Sequence, residues 1–100
     1  MKIDGSKVLV TGGSAGIGKA IAAAMIQKGA EVGITGRRVD ALQAAAHELG
    51  AAALPGDVSL EEDCIATVKA FVERFGRIDL LVNNAGFGHF APLEIGRAHV

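Results

Sequence analysis

The sequence has little of several residue types, and each scarcity excludes a class of protein or site. Its 100 residues include one cysteine, Cys64, and neither tryptophan nor tyrosine. A single cysteine cannot form a disulfide within the chain or a paired-cysteine metal motif. The formal net charge is −1, so there is no basic excess to hold the phosphate backbone of a nucleic acid. The longest apolar run, which includes Ile21 to Ile26, is too short to span a bilayer.

Half of the residues are hydrophobic, which predicts a folded domain with a real core. The first residues place Asp4 and Gly5 where a signal peptide needs an apolar segment. Together with the lone cysteine, this start predicts a cytoplasmic protein. No cluster of histidine, cysteine or carboxylate has the spacing of metal ligands, so we expect no metal site. From the net charge and the short apolar runs, we also expect no nucleic-acid or membrane partner.

Short apolar runs alternate with stretches of helical periodicity along the whole chain. We predict strands at 7–11, 31–35, 51–54 and 78–82, and helices at 16–28, 39–49 and 60–75. Glycines at 29, 50 and 76 are expected to end the helices. Strands separated by helices run parallel, with right-handed crossovers. The expected fold is therefore α/β, a doubly wound parallel sheet with strand order 3-2-1-4.

The third helix carries the most detailed expectations. Ser59 followed by Glu62 has the spacing of a capping box at its start. Cys64 is expected to be a small buried residue. The predicted core face of this helix comprises Ile65, Val68, Phe71, Val72 and Phe75.

A glycine-rich turn joins the first strand to the first helix. It reads Thr-Gly-Gly-Ser-Ala-Gly-Ile-Gly from Thr11 to Gly18. Gly12 can turn the chain tightly, Gly16 lets backbone N–H groups approach a pyrophosphate, and Gly18 allows close packing of the helix. The helix N-terminus then directs free N–H groups and a positive dipole end at the phosphates. A glycine turn without a ligand is the alternative, and its position between strand and helix argues against that alternative.

The glycine turn, together with Asn83-Asn84-Ala85-Gly86 after the fourth strand, resembles the short-chain dehydrogenase/reductase family. Gly76-Arg77-Ile78-Asp79 also fits that family. The resemblance implies that residues 1–94 are the N-terminal part of a single Rossmann-type NAD(P)-binding domain, truncated after its fourth strand. It further implies an oxidoreductase that transfers hydride between the cofactor and a carbonyl or alcohol substrate.

The residue after the second strand selects between NAD and NADP in this family, where an acid favours NAD. Here Gly36 is followed by Arg37 and Arg38, and arginine suits a phosphate group. We therefore favour NADP(H) over NAD(H), with Arg37 as the main contact and Ser14 as a helper. The alternative is that Arg37 and Arg38 are ordinary solvated charges at the start of a helix, and it applies above all to Arg38. One departure is Ala15, where many NADP-using relatives carry a basic residue.

The resemblance assigns further roles to residues at the strand ends. Asp57 binds the adenine amino group and the N–H of Val58 meets the ring, although Asp57 can also simply serve the turn. Asn83 ties neighbouring strands together, and the backbone of Ala85 and Gly86 passes the cofactor ribose. The predicted cofactor-binding set is Gly12, Ser14, Gly16, Ile17, Gly18, Arg37, Asp57, Val58, Asn83, Ala85 and Gly86.

The family's catalytic groups are a serine, a tyrosine, a lysine four residues after the tyrosine, and an asparagine. Because the chain has no tyrosine, no proton-transfer residue can be assigned within it, and these groups are expected beyond Val100. The resemblance implies a homo-oligomer, and a 3-oxoacyl-carrier-protein reductase is one plausible subtype. A non-catalytic redox-sensing module remains open as an alternative, and a methyltransferase is disfavoured by the asparagine motif.

The last residues, Ile95 to Val100, mix a glycine, an arginine and a histidine without a sustained apolar face. They do not continue as the family's next helix. We expect a non-native tail that packs poorly, and a natural variant loop is the alternative.

Overall fold

The computed structural model describes residues 2–84, which form four strands and three helices in strict alternation. The predictions for 85–100, including the tail, lie outside the described residues. The elements are β1 Lys7–Thr11, α1 Gly16–Gln27, β2 Glu31–Gly36, α2 Val39–Leu49, β3 Ala52–Pro55, α3 Glu61–Phe75 and β4 Leu80–Asn83. β1 and α2 match the predicted bounds, and the other elements differ by one or two residues at an end.

The four strands form one parallel sheet in the order β3-β2-β1-β4, as predicted. Val8 of β1 is in register with Val32 of β2 and Leu80 of β4, and Gly33 of β2 is in register with Ala52 of β3. Because all strands run the same way, their carboxyl ends meet at one edge of the sheet. The segments that follow the neighbouring strands β1, β2 and β3 therefore lie side by side at that edge.

The two faces of the sheet are covered differently. One face carries α1 and α2, and their side chains pack on alternate strand residues such as Val8, Val10 and Ile34. The other face has a smaller cluster made of Leu9, Leu54, Phe71 and Leu81. Phe71 of α3 is completely buried there. A Cβ at residue 33 would lie 2.9 Å from its ring, so the glycine in β2 makes room for this phenylalanine.

The start of α3 differs from the predicted capping box. Leu60 is the N-cap residue and no side chain caps the helix, so the assignment of Ser59 and Glu62 was wrong. The Ser59 hydroxyl instead donates to Asp57 Oδ1 at 2.6 Å. Because the Ser59 hydroxyl is hydrogen-bonded to Asp57, two residues earlier, it does not cap the helix.

The predicted core face of α3 is also only partly right. Phe71 is buried and Val68 and Phe75 pack against the same cluster, but Ile65 is 47% exposed and Val72 38% exposed. Cys64 is half-buried rather than buried. Partial burial raises the pKa of the Cys64 thiol, and the negative charge of Glu61 raises it further.

The amino ends of β1 and β4 are joined by a reciprocal pair of hydrogen bonds. Lys7 N–H donates to Asp79 Oδ2 at 2.8 Å, and Asp79 N–H donates to the Lys7 carbonyl at 2.8 Å. The hydrogen bond from Lys7, then that from Arg77, lowers the pKa of Asp79. This pair of hydrogen bonds helps to set the register of β4 against β1. The register in turn determines the positions of Asn83 and Asn84 at the end of β4. Among residues 2–84, no helix has the length and apolar character needed to cross a membrane.

Candidate functional site

The glycine turn begins with a left-handed residue, Gly12, at φ +70°. L-residues with a Cβ rarely adopt this conformation, so glycine is needed here. The Gly12 N–H donates to the Thr35 hydroxyl and the Gly13 N–H to the Thr35 carbonyl, each at 3.1 Å. These two bonds fix the turn to the end of β2.

Gly18 and Gly16 serve different needs in the first turn of α1. A Cβ on Gly18 would overlap the Gly12 carbonyl oxygen and lie 2.6 Å from Asn84 Nδ2. Gly18 therefore allows α1 to start close to its own loop and to the end of β4. Gly16 has φ +61°, and a Cβ there would meet no atom of residues 2–84 within 4 Å. Glycine is therefore favoured at this position by the backbone conformation, and the space beside it can admit a ligand.

The two asparagines at the end of β4, Asn83 and Asn84, hold the glycine turn in place. Thr11 donates its hydroxyl hydrogen to Asn83 Oδ1 at 3.1 Å and accepts the Asn84 N–H at 3.0 Å. Asn84 Nδ2 donates to the Gly12 carbonyl at 3.2 Å. The Asn84 side chain is thus the link between β4 and the turn, a function that our sequence analysis did not assign. The two adjacent asparagines are visible in the sequence, but their spacing does not show which atom the Asn84 side chain reaches.

A cleft of about 380 Å³ opens at the carboxyl edge of the sheet. It lies between the ends of β1, β2 and β3, where parallel sheets of this kind bind ligands. The residues that line it are Gly12, Ser14, Thr35, Gly36, Arg37, Arg38, Gly56, Asp57, Val58 and Ser59. A hydrogen bond from Gly56 N–H to the Gly36 carbonyl, 3.1 Å long, joins two of its sides.

The β2 side of the cleft is basic. Arg37 and Arg38 are both exposed and line the cleft. Within residues 2–84, neither guanidinium takes part in an ion pair. Gly36, which precedes them, lies close to Ser14, since a Cβ there would be 3.4 Å from Ser14 Oγ. The interpretation of Arg38 as a solvated charge did not take into account that Arg38 lines the cleft.

The β3 side of the cleft carries the one carboxylate among the lining residues, Asp57. Its Oδ1 accepts both the Ser59 hydroxyl at 2.6 Å and the Ser59 N–H at 3.0 Å. These two hydrogen bonds, with a smaller effect of Arg37, lower the pKa of Asp57. Asp57 therefore does serve the turn before α3, and its second carboxylate oxygen has no hydrogen-bond partner within residues 2–84.

The structure brings most of the predicted residues together. Gly12, Ser14, Arg37, Asp57 and Val58 line the cleft. Gly16, Ile17 and Gly18 follow in the first turn of α1, where Ile17 is 72% exposed. Asn83 lies at the end of β4 beside Thr11. Ala85 and Gly86 fall outside the described residues.

Comparison with known proteins agrees with this architecture. Residues 6–97 match the sequence profile of the family described as short chain dehydrogenase. The chain is similar to an uncharacterized oxidoreductase, YxjF, of Bacillus subtilis (strain 168), with 43% identity over 91 residues, 86% of this chain and 35% of the relative. A sorbitol dehydrogenase of Cereibacter sphaeroides is 40% identical over 100 residues, 97% of this chain and 39% of the relative.

The L-fucose dehydrogenase of Rattus norvegicus is 41% identical over 87 residues, which cover 86% of this chain and 32% of that protein. The chain thus spans about a third of the length of the curated relatives it matches. The match to the family profile covers most of the chain, including the glycine turn and the residues that line the cleft. The chain belongs to the short-chain dehydrogenase family.

Proposed function

We propose that this chain is the dinucleotide-binding part of an oxidoreductase that uses NADP(H) in preference to NAD(H). The cleft would hold the adenosine half of the cofactor, with the 2′-phosphate beside Arg37. In the whole protein, the bound cofactor would supply or accept the hydride while a carbonyl or alcohol substrate is reduced or oxidised. The alcohols named for the sorbitol and L-fucose dehydrogenases support this substrate class.

The observation that carries the NADP(H) assignment is the charge pattern at the end of β2. Gly36 places no carboxylate there, and Arg37 offers a guanidinium without an ion-pair partner in residues 2–84. An acid at this point would accept a hydrogen bond from the ribose 2′-OH and repel a 2′-phosphate. A forked guanidinium instead matches the oxygens of a phosphate.

Asp57 is a carboxylate in the same cleft and needs separate treatment. It lies on the β3 side, where its Oδ1 accepts the Ser59 hydroxyl at 2.6 Å and the Ser59 N–H at 3.0 Å. Its charge is therefore satisfied mainly by its own turn. This leaves the guanidinium of Arg37 available to a phosphate, and it leaves one Asp57 oxygen to accept the adenine amino group.

The remaining residues fit the pyrophosphate. The open space at Gly16 admits a ligand to the first turn of α1, where unpaired N–H groups and the positive end of the helix dipole favour an anion. Thr35 and Asn84 hold the turn before that helix, so its donors are preorganised. The chain contains no tyrosine, so we assign the proton-transfer role to none of its residues.

Titration of the chain with NADPH and NADH, followed by calorimetry, tests the proposal. One charge-assisted hydrogen bond contributes roughly 1.5–3 kcal/mol, so NADPH should bind at least about ten times more tightly than NADH. Equal affinities would overturn the NADP assignment, and binding of neither would overturn the dinucleotide site itself. In a longer protein, binding of NADPH without turnover of any carbonyl or alcohol would favour the non-catalytic redox-sensing module.

A further inference from the structure

Asp63 lies in the first turn of α3 yet does not cap that helix. Its Oδ2 accepts the N–H of Asp57, six residues earlier, at 2.8 Å. The Asp57 carbonyl in turn accepts the Leu60 N–H at 2.9 Å. The backbone donor and acceptor of Asp57 are thus both held by the start of α3, and its side chain is held by Ser59.

These bonds connect the β3 side of the cleft to the core. α3 is anchored by the fully buried Phe71 and by Thr67, which is 4% exposed. Thr67 Oγ1 also lies 3.1 Å from the position of a Cβ on Gly56, so the helix closely approaches the residue before Asp57. Asp63 is therefore the side chain through which a packed helix fixes the position of Asp57 and Val58.

We infer that Asp63 is a positioning residue for adenine recognition, and this inference rests on the proposed function. A carboxylate that accepts a backbone N–H forms a charge-assisted bond, which is shorter and stronger than a neutral one. Without it, the Asp57 turn must be ordered when the nucleotide binds, and that ordering reduces affinity. The loss acts at the adenine, so it should be the same for nucleotides with and without a 2′-phosphate. Arg37 acts differently, because it distinguishes those nucleotides.

The experiment measures the affinity of the chain for 5′-AMP and for adenosine 2′,5′-bisphosphate by calorimetry. The variants are Asp63→Ala, which removes the acceptor, and Asp63→Asn, which keeps an acceptor oxygen. Glu62→Ala is the matched control, because Glu62 is an exposed neighbour with the same charge. If Asp63→Ala does not fold, Asp63→Ser replaces it, because serine favours helix starts but is shorter than aspartate.

Asp63→Ala should weaken both nucleotides by the same factor, roughly tenfold for one charge-assisted bond in a partly exposed turn. Asp63→Asn should restore most of that affinity, and Glu62→Ala should leave it unchanged. Unaltered affinity in Asp63→Ala or Asp63→Ser, or a loss confined to the bisphosphate, would overturn the inference while the proposed function stands. Failure of the unmodified chain to bind either nucleotide would overturn the proposed function, and the inference with it.

Discussion

The two faces of the sheet are built from similar apolar residues but are covered to different extents. The α1 and α2 face buries a continuous cluster in which Leu42, Ala45 and Ala46 of α2 are all inaccessible or nearly so. Within residues 2–84, the other face is covered by α3 alone, and two apolar residues of that helix, Ile65 and Val72, remain exposed. A helical apolar pattern thus shows which residues can be buried, whereas burial itself depends on what packs against them.

Among variants that test this difference between the two faces, Phe71→Ala should lower the free energy of unfolding most. Phe71 is the largest fully buried side chain and the main anchor of α3. Truncation of a buried phenylalanine costs about 3–5 kcal/mol of unfolding free energy, through lost burial and a cavity. Denaturant unfolding of the variant measures this cost.

Leu42→Ala on the opposite face is the matched control, with an expected cost of about 2–5 kcal/mol. The two variants should differ in hydrogen exchange, since loss of Phe71 should expose the amides of α3 more than those of α2. A cost below about 1 kcal/mol for Phe71→Ala would show that α3 is not held by this residue.

The smallest effect is expected from Ile65→Ser on the exposed stripe of α3. Ile65 is already 47% exposed, so replacement removes little buried apolar surface. We expect a change in unfolding free energy within about 0.5 kcal/mol, measured under the same conditions. A loss above about 2 kcal/mol would contradict the comparison, because it would place Ile65 in a packed environment.

The fold was largely predictable because its signals are local. β1 is a β-branched run that ends in glycines, and Gly50 ends α2 in the left-handed conformation that a glycine stop requires. Parallel pairing then follows from the alternation of strands and helices. The start of α3 was not predictable from spacing, because Ser59 matches a capping box but bonds to Asp57 instead. Two competing local partners cannot be ranked from the sequence.

The position of the site was predictable for a related reason. Parallel strands end at the same edge, so residues that follow β1, β2 and β3 must meet there, and Ser14, Arg37 and Asp57 do. The roles of Asn84 and Asp63 were missed. Each depends on which atoms of a distant turn the side chain reaches, namely the Gly12 carbonyl and the Asp57 N–H. Such contacts are set by packing and leave no spacing signal.

The most direct test of the account is the ratio of the dissociation constants for NADPH and NADH in the chain with and without Arg37→Asp. The substitution replaces a charge-assisted contact with repulsion, so NADPH should bind about ten- to a hundredfold more weakly while NADH changes little. Arg74→Asp, the same charge change on α3 outside the cleft lining, should leave the ratio unaltered. Equal losses for NADPH and NADH in Arg37→Asp would contradict the account, because Arg37 would then only support the loop.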